Sequence, residues 1–433
     1  MRITYLSTLY RGGGAERCAR ELFESVRAAG HETRMLVARP TPPMPAGVRP
    51  VRLPGEKYLR AACRLGLRAE WRHIGSALAL RRVRPSDTDV LHLHNLHGGW
   101  MSIPAAARAA RRIPAVWTLH DEWAVTPGVA YDLSRVLDAP TIAAWFGDEA
   151  SLTTTDPRAK ALARYLRPRL PRPELLIVPS AYLCDLASRA LHLAGVPVKR
   201  IPYGVEMVRS DNATVDRAAA RARFGIAPGA RVVLLLAADL SSPYKGARLA
   251  VEVLAHLAAL STDVTVLLAG RNTAAVADSL RTAAGGDGRL RVADAGLLSG
   301  DGVLARAYRA ADLSLVPSVA DNFPYVALES LACATPVVSF AVGGMPEIVG
   351  DSAFPDDFGP RGLTAPPFDP AALADRTARV LADPDLRARL GDAGARWARA
   401  RCHPAAALRA NLDAYAEAIE LRRRRATSNP QPG

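Results

Sequence analysis

The sequence predicts an α/β chain of two domains, each built on a parallel sheet, and three observations predict it. Short, almost wholly apolar runs such as Leu175 to Pro179 and Arg231 to Ala238 alternate with longer helical patterns, as in sheets whose parallel strands are linked by crossover helices. A polar, charged stretch from Glu206 to Arg223 separates two such sets and reads as a linker with a short helix. The length of 433 residues, 49% of them hydrophobic, suffices for two or three domains with sizeable cores.

In the first set, Arg2 to Thr8 is the opening strand. Gly12, Gly13 and Gly14 follow, then a helix over Ala15 to Ala29 with Leu22, Phe23 and Val26 at core spacing. A glycine loop between the first strand and the first helix lets backbone approach a ligand closely, and it also serves as a plain tight turn. It lacks the third spaced glycine of a dinucleotide fingerprint, since Arg17 holds that place. The second strand, Glu32 to Ala38, ends near Arg39 rather than at a ribose-binding acid, which disfavours an NAD site. Leu59 to Val83 carries Arg60, Arg64, Arg68 and Arg72 at four-residue intervals, one basic stripe on a helix. Such a stripe suits an anionic membrane surface or an ordinary solvated face.

Asp89 to His94 is the next strand, with His92 and His94 on one face. No acidic or cysteine cluster accompanies the pair, so a metal site is disfavoured. Ala115 to Leu119 follows, and His120-Asp121 stands at its carboxyl end, where open α/β sheets bind ligands. Asp121 either orients His120 or caps the next turn. Residues 126–173, with Trp145 and Arg164, Arg167, Arg169 and Arg172, read as an irregular excursion of the first domain. Leu175 to Pro179 is a strand, with Ser180 as the cap of the helix behind it.

The second set runs through Arg231 to Ala238, Val264 to Ala269, Leu290 to Ala293, Leu313 to Val316 and Val337 to Phe340. Lys245-Gly246 opens a helix after its first strand, where a lysine is a point charge for a diphosphate or a surface lysine. In Leu313 to Val349 two strand-loop-helix units succeed each other with almost no spacing, so two helix N-termini open on one sheet edge, which suits an anionic ligand. Pro324 fits the first helical turn, which leaves Asp321, Asn322 and Phe323 in the loop and puts Glu329 in the second turn. The carboxylates either accept hydrogen bonds from sugar hydroxyls or serve as a cap and a solvated side chain.

Lys+Arg outnumber Asp+Glu by 56 to 42, a formal charge of +14 that favours an anionic partner without choosing among nucleotide-sugars, anionic lipids, acidic glycans and nucleic acid. Five scattered cysteines fit a reduced compartment. The N-terminus does not read as a secretory signal, and no run approaches the ~20 apolar residues of a membrane span. The expected location is the cytoplasm or the inner face of the membrane.

The stretch around Asp321, with Glu329 eight residues on, Pro336-Val337-Val338, Gly343-Gly344 and Pro346-Glu347, resembles the donor-binding signature of the family 4 glycosyltransferases, which have the GT-B fold. Asp321 stands where the family usually has glutamate, and Asp-Asn-Phe-Pro is similar to the version in colanic-acid-type exopolysaccharide enzymes. The resemblance implies two Rossmann-like domains whose parallel sheets face across a cleft. It assigns residues 1–205 to the acceptor and 206–400 to the nucleotide-sugar. It also implies a helix over 401–425 packing back on the first domain; the basic run Arg422 to Arg425 and the polar residues behind it read, by composition, as the start of a disordered tail at 426–433. It implies retaining transfer from a UDP- or GDP-sugar to a glycan or lipid-linked acceptor, with no cofactor, no metal and no nucleic acid. Lys245 would neutralise the leaving diphosphate, and Glu329 would hold the ribose. Asp321 and the backbone amides of Asn322 and Phe323 would grip the sugar, His120 would contact it near the anomeric carbon, and Gly13-Gly14 would position donor phosphate or acceptor. The family's arginine ahead of Lys-Gly is replaced by Asp239 and Leu240, so Ser241, Ser242, Arg248 or Arg271 must make up for it. The competing readings are a catalytically silent sugar- or nucleotide-binding protein of this fold and an NADP-dependent oxidoreductase.

Overall fold

In a computed structural model, residues 1–53, 58, 73–146, 153–208, 215–260, 263–283 and 289–428 are described. Arg60, Arg64, Arg68 and Arg72 and the last residues of the expected tail, 429–433, lie outside them. The chain divides into two units: Met1–Ala139 with Asp148–Pro202 and Ala407–Gly433, and Tyr203–Ala406 with Pro140–Gly147.

The sheet of the first unit consists of β1 (Arg2–Ser7), β2 (Glu32–Val37), β3 (Val48–Pro50), β4 (Val90–Leu93), β5 (Ala115–Thr118), β6 (Leu175–Val178) and β7 (Val198–Arg200). All neighbours are parallel, in the order β3-β2-β1-β4-β5-β6-β7. Strand alternation splits its apolar residues into two cores, one per face, as a sheet covered on both sides requires. Leu6, Leu36, Leu91, Trp117 and Leu176 face one core. Ile3, Tyr5, Met35, Val116 and Ile177 face the other, which is closed by Ala414, Tyr415 and Ala418 of the last helix. That helix spans Pro404–Ser428, so residues 426–428, expected in the tail, continue it. It is tied to the sheet where Arg422 Nε donates to Glu174 at 2.8 Å and Lys199 pairs with Glu417 at 2.6 Å.

The sheet of the second unit consists of β8 (Val232–Asp239), β9 (Val264–Arg271), β10 (Leu290–Gly296), β11 (Leu313–Val316), β12 (Val337–Phe340) and β13 (Gly362–Ala365), again parallel throughout, in the order β10-β9-β8-β11-β12-β13. Gly362 lets β13 lie against β12, because a Cβ there would stand 1.9 Å from the carbonyl oxygen of Val337. The amino end of the sheet is held by buried Asp312, which accepts from the Val232 amide at 2.7 Å and pairs with Arg217, Arg221 and Arg387. Three strands, β3, β7 and β13, are short edge pieces without a clear apolar run, and the sequence reading passes over them.

In both sheets the chain winds first to one side and then to the other. The reversal falls between β1 and β4 in the first and between β8 and β11 in the second. Loops leaving the carboxyl ends of those strands diverge there and leave a crevice, the usual ligand position in this architecture. No helix among the described residues is long and apolar enough to cross a membrane.

Candidate functional site

At the reversal in the second sheet, Lys245 closes a short 3-10 turn, Pro243–Lys245, behind β8. Gly246 follows at φ +66°, and a Cβ there would stand 1.9 Å from the carbonyl oxygen of Pro317, so only glycine allows this turn to press against the loop after β11. The ammonium of Lys245 then reaches the carboxylate of Asp321 across the reversal, 2.6 Å away. Asp321 is 6% exposed, and its Oδ2 also accepts from Ser318 Oγ at 3.3 Å. Gly343, at φ +52°, would place a Cβ 1.9 Å from the Asp321 carbonyl oxygen, and the Gly344 amide donates to that oxygen at 3.2 Å. Lys245, Asp321 and the Gly343-Gly344 loop thus converge from three neighbouring strands.

The helix behind β11 is Tyr325–Ala332, one residue later than expected. Pro324 has the fixed φ of a helical residue, but its ψ of 129° is extended, which makes it the flanking cap. Glu329 remains in the second turn, buried, and accepts from Tyr308 Oη at 2.8 Å. The side chains of Asn322 and Phe323 are 1% and 3% exposed. Phe323 packs edge-on against Tyr203 and lies near Trp397. The Phe323 side chain thus serves the core, as expected if its contact with a ligand is through the backbone amide.

Asp239 holds the place of the expected arginine. Its carboxylate accepts from Ser241 Oγ at 2.6 Å, from Asn272 Nδ2 at 2.7 Å and from the Ser241 amide at 3.0 Å. These bonds, aided by the nearby Arg271, pull its pKa down to about 2. Arg271, from the end of β9, stands 3.5 Å away, so this aspartate draws a guanidinium to the loop from the adjacent strand. Arg248 is engaged elsewhere, with Glu252 at 3.3 Å.

At the reversal in the first sheet, Gly13 caps the helix Gly14–Ala28, so Gly14 belongs to the helix rather than to the loop. The Glu16 side chain folds over this loop, within 3.0 Å of where a Gly12 Cβ would be. His120, beyond β5, is buried, and its Nε2 is 2.9 Å from His94 Nδ1. The His92 and His94 rings are tilted by 32° with centroids 4.2 Å apart, and the His94 and His120 rings stack at 5.2 Å. His92 contacts Thr118 Oγ1 at 2.7 Å and Tyr415 Oη at 2.8 Å, so both of its ring nitrogens are occupied. Tyr415 reaches Tyr5 Oη at 3.1 Å. Burial holds His120 down to about 4 and His92 to about 3, and pushes His94 well below its ordinary value. All three are therefore neutral near pH 7. His94 Nε2 is buried without a partner among the described residues.

Of its two expected roles, Asp121 fills that of the turn cap. It accepts from the Trp123 amide at 2.9 Å, as a turn cap, and from His97 Nε2 at 2.7 Å. Burial opposes charge on His97, but Asp121 outweighs it and raises the His97 pKa. Sequence reasoning gives no role to His97, in the loop after β4, or to Tyr415, which lies far along the chain on a helix without a distinguishing pattern. No group of three or more metal-type ligands occurs among the described residues.

A family model described as Glycosyltransferase Family 4 matches residues 12–209, and one described as Glycosyl transferases group 1 matches residues 231–383. A D-inositol 3-phosphate glycosyltransferase of Saccharomonospora viridis is 31% identical over 311 residues, covering 70% of this chain and 67% of its own. Its counterpart in Streptomyces griseus is 30% identical over 361 residues, covering 80% of this chain and 70% of its own. These relatives are named for inositol phosphate, not for the colanic-acid type suggested by the Asp-Asn-Phe-Pro loop. The structure of Anabaena Alr3699/HepE in complex with UDP and glucose matches 96% of this chain and 99% of that one, with a TM-score of 0.67 at 18% identity, a likeness of fold.

Proposed function

This chain belongs to the family 4 glycosyltransferases, and on that premise we propose that it moves a sugar from a UDP- or GDP-sugar to a hydroxyl of a glycan, lipid-linked or natural-product acceptor, with retention of configuration and without a metal. The observation that carries the reading is the Lys245–Asp321 pair at 2.6 Å across the strand reversal, beside the Gly343-Gly344 loop.

A nucleoside diphosphate leaves with negative charge that must be stabilised as the bond to the anomeric carbon breaks. Lys245 meets that charge, and Arg271, drawn in by Asp239, supplies the second cation in place of the family's arginine. When the diphosphate takes over Lys245, the Asp321 carboxylate turns to the hydroxyls of the sugar. Glu329, held by Tyr308, accepts from the ribose. His120, neutral, offers a hydrogen bond rather than a charge near the anomeric carbon. The acceptor oxygen bonds to that carbon on the face the phosphate leaves, and the acceptor proton passes to the leaving phosphate oxygen. Relatives named for inositol phosphate favour a polyol hydroxyl as acceptor, and a fold relative solved with UDP and glucose favours a UDP-sugar.

Release of UDP or GDP is measured across nucleotide-sugars, with inositol 3-phosphate and glycan acceptors. Acceptor-dependent release is expected; absence of binding to either nucleotide overturns the proposal. The aspartate in place of the family's arginine favours a second reading, a silent nucleotide-binding protein, which nucleotide binding without turnover on any acceptor would support.

A further inference from the structure

One segment departs from its expected place. Residues 126–173 read in sequence as an excursion of the first domain, yet Pro140–Gly147 belongs to the second unit, while the chain on either side belongs to the first. The segment's helix, Ala139–Phe146, ends in Trp145 and Phe146, both half-buried. Trp145 meets Phe368 edge-on, with centroids 5.8 Å apart and planes at 77°. Phe146 lies 6.3 Å from the ring of Tyr244. The Arg248 guanidinium stands 5.7 Å above the Trp145 ring, within cation–π range.

Each contact falls on a loop or helix start at the carboxyl end of the second sheet. Tyr244 is the neighbour of Lys245 in the turn behind β8, and its carbonyl accepts from the Val319 amide at 2.9 Å, which joins that turn to the Asp321 loop. Arg248 is in the first turn of the helix that Lys245-Gly246 opens. Phe368 sits behind β13 with φ +61°, a left-handed conformation that costs a bulky residue energy and is kept only where its surroundings impose it. One side of its ring packs on Phe340 of β12, at 6.2 Å, and Trp145 takes its edge.

We propose that Trp145 and Phe146 are positioning residues of the donor site. They hold the Tyr244-Lys245 turn and the Phe368 loop in register so that Lys245 meets the diphosphate of the donor. The inference rests on the reading of Lys245 as the diphosphate ligand. It adds to the donor site a segment whose sequence neighbours belong to the other unit. Neither residue touches the reacting atoms; both act through Tyr244 and Phe368.

The test is calorimetric titration of UDP and GDP into the wild-type protein and into Trp145→Ala, Phe146→Ala, Trp145→Phe and Lys245→Ala, with a thermal melt of each. Each alanine variant at the aromatic positions is expected to weaken nucleotide binding about tenfold, and Trp145→Phe to restore it to within about threefold. Intrinsic fluorescence is read alongside. Saturation with nucleotide should change the emission of the wild type, and the change should vanish in Trp145→Phe while binding persists. If Lys245→Ala weakens binding while both aromatic alanine variants bind as the wild type does, the inference falls and the functional reading stands. If the wild type binds neither nucleotide, both fall. Where an alanine variant does not fold, Trp145→Phe decides: a nucleotide-induced emission change that survives this substitution overturns the inference.

Discussion

At the reversal of the first sheet three histidines are clustered, buried and neutral; at that of the second, a lysine faces an aspartate across the gap. Both sheets are parallel and wound in the same sense, so the backbone prepares equivalent crevices, and side chains alone make them different. In the first unit the polar groups largely bond to one another: His92 to Thr118 and Tyr415, and His94 Nδ1 to His120, with His94 Nε2 left over among the described residues. In the second, Lys245 is held by one carboxylate that an anionic ligand can displace, and its side chain is 32% exposed. The first arrangement suits hydrogen bonding to an uncharged sugar or acceptor. The second suits exchange of one anion for another.

The largest expected effect that sharpens this contrast is on turnover. Lys245→Ala removes the charge that meets the leaving group and should lower kcat about a hundredfold or more, as loss of one preorganised donor does, with little change in Tm. Turnover within a few-fold of wild type would erase the distinction between the units.

Acid should act on the first site. The folded-state pKa values of His92 and His120 are depressed to about 3 and about 4 from an ordinary 6.5, and that of His94 is lowered in the same direction. Between those values and 6.5 the unfolded chain binds more protons than the folded one, so stability is present in full above 6.5 and falls as pH drops. Each histidine accounts for at most about 1.4 kcal/mol per pH unit. Thermal melts from pH 7 to 4.5 should show Tm declining steadily; a flat profile would mean the cluster is not buried and neutral. His97 runs the other way, since its raised pKa adds stability that is lost as pH rises through the folded value.

A smaller effect separates the parts of the second site. Glu329→Gln should weaken UDP binding about tenfold and leave pyrophosphate binding unchanged, because only the nucleoside carries ribose hydroxyls. Equal loss for both ligands would assign Glu329 to general structure.

The legible parts of the molecule were those with a short-range physical signature. Apolar runs or alternation marked every strand but the short edge pieces, and the resemblance to a family's donor signature, rather than spacing alone, pointed to Asp321, Glu329 and Gly343, whose positions a strand-loop-helix unit fixes locally. What escaped depended on distant contacts. Tyr415 completes the histidine network from a helix that reads as an ordinary Ala/Arg pattern. Residues 140–147 pack on the second unit although nothing in their own sequence names that partner. The loss of the family's arginine was visible, and Arg271 was one of four candidates to replace it; what singles it out is that it ends β9, and the pairing of β8 with β9 brings it to Asp239.

The most direct measurement is calorimetric titration of UDP and GDP into wild type and Asp321→Asn, paired with turnover. If Asp321 stands where it competes with the donor diphosphate for Lys245 and then grips the sugar, Asp321→Asn should bind the nucleotide at least as tightly as wild type, while turnover drops about a hundredfold. Weaker nucleotide binding together with unchanged turnover would contradict the assignment of this pair as the donor site.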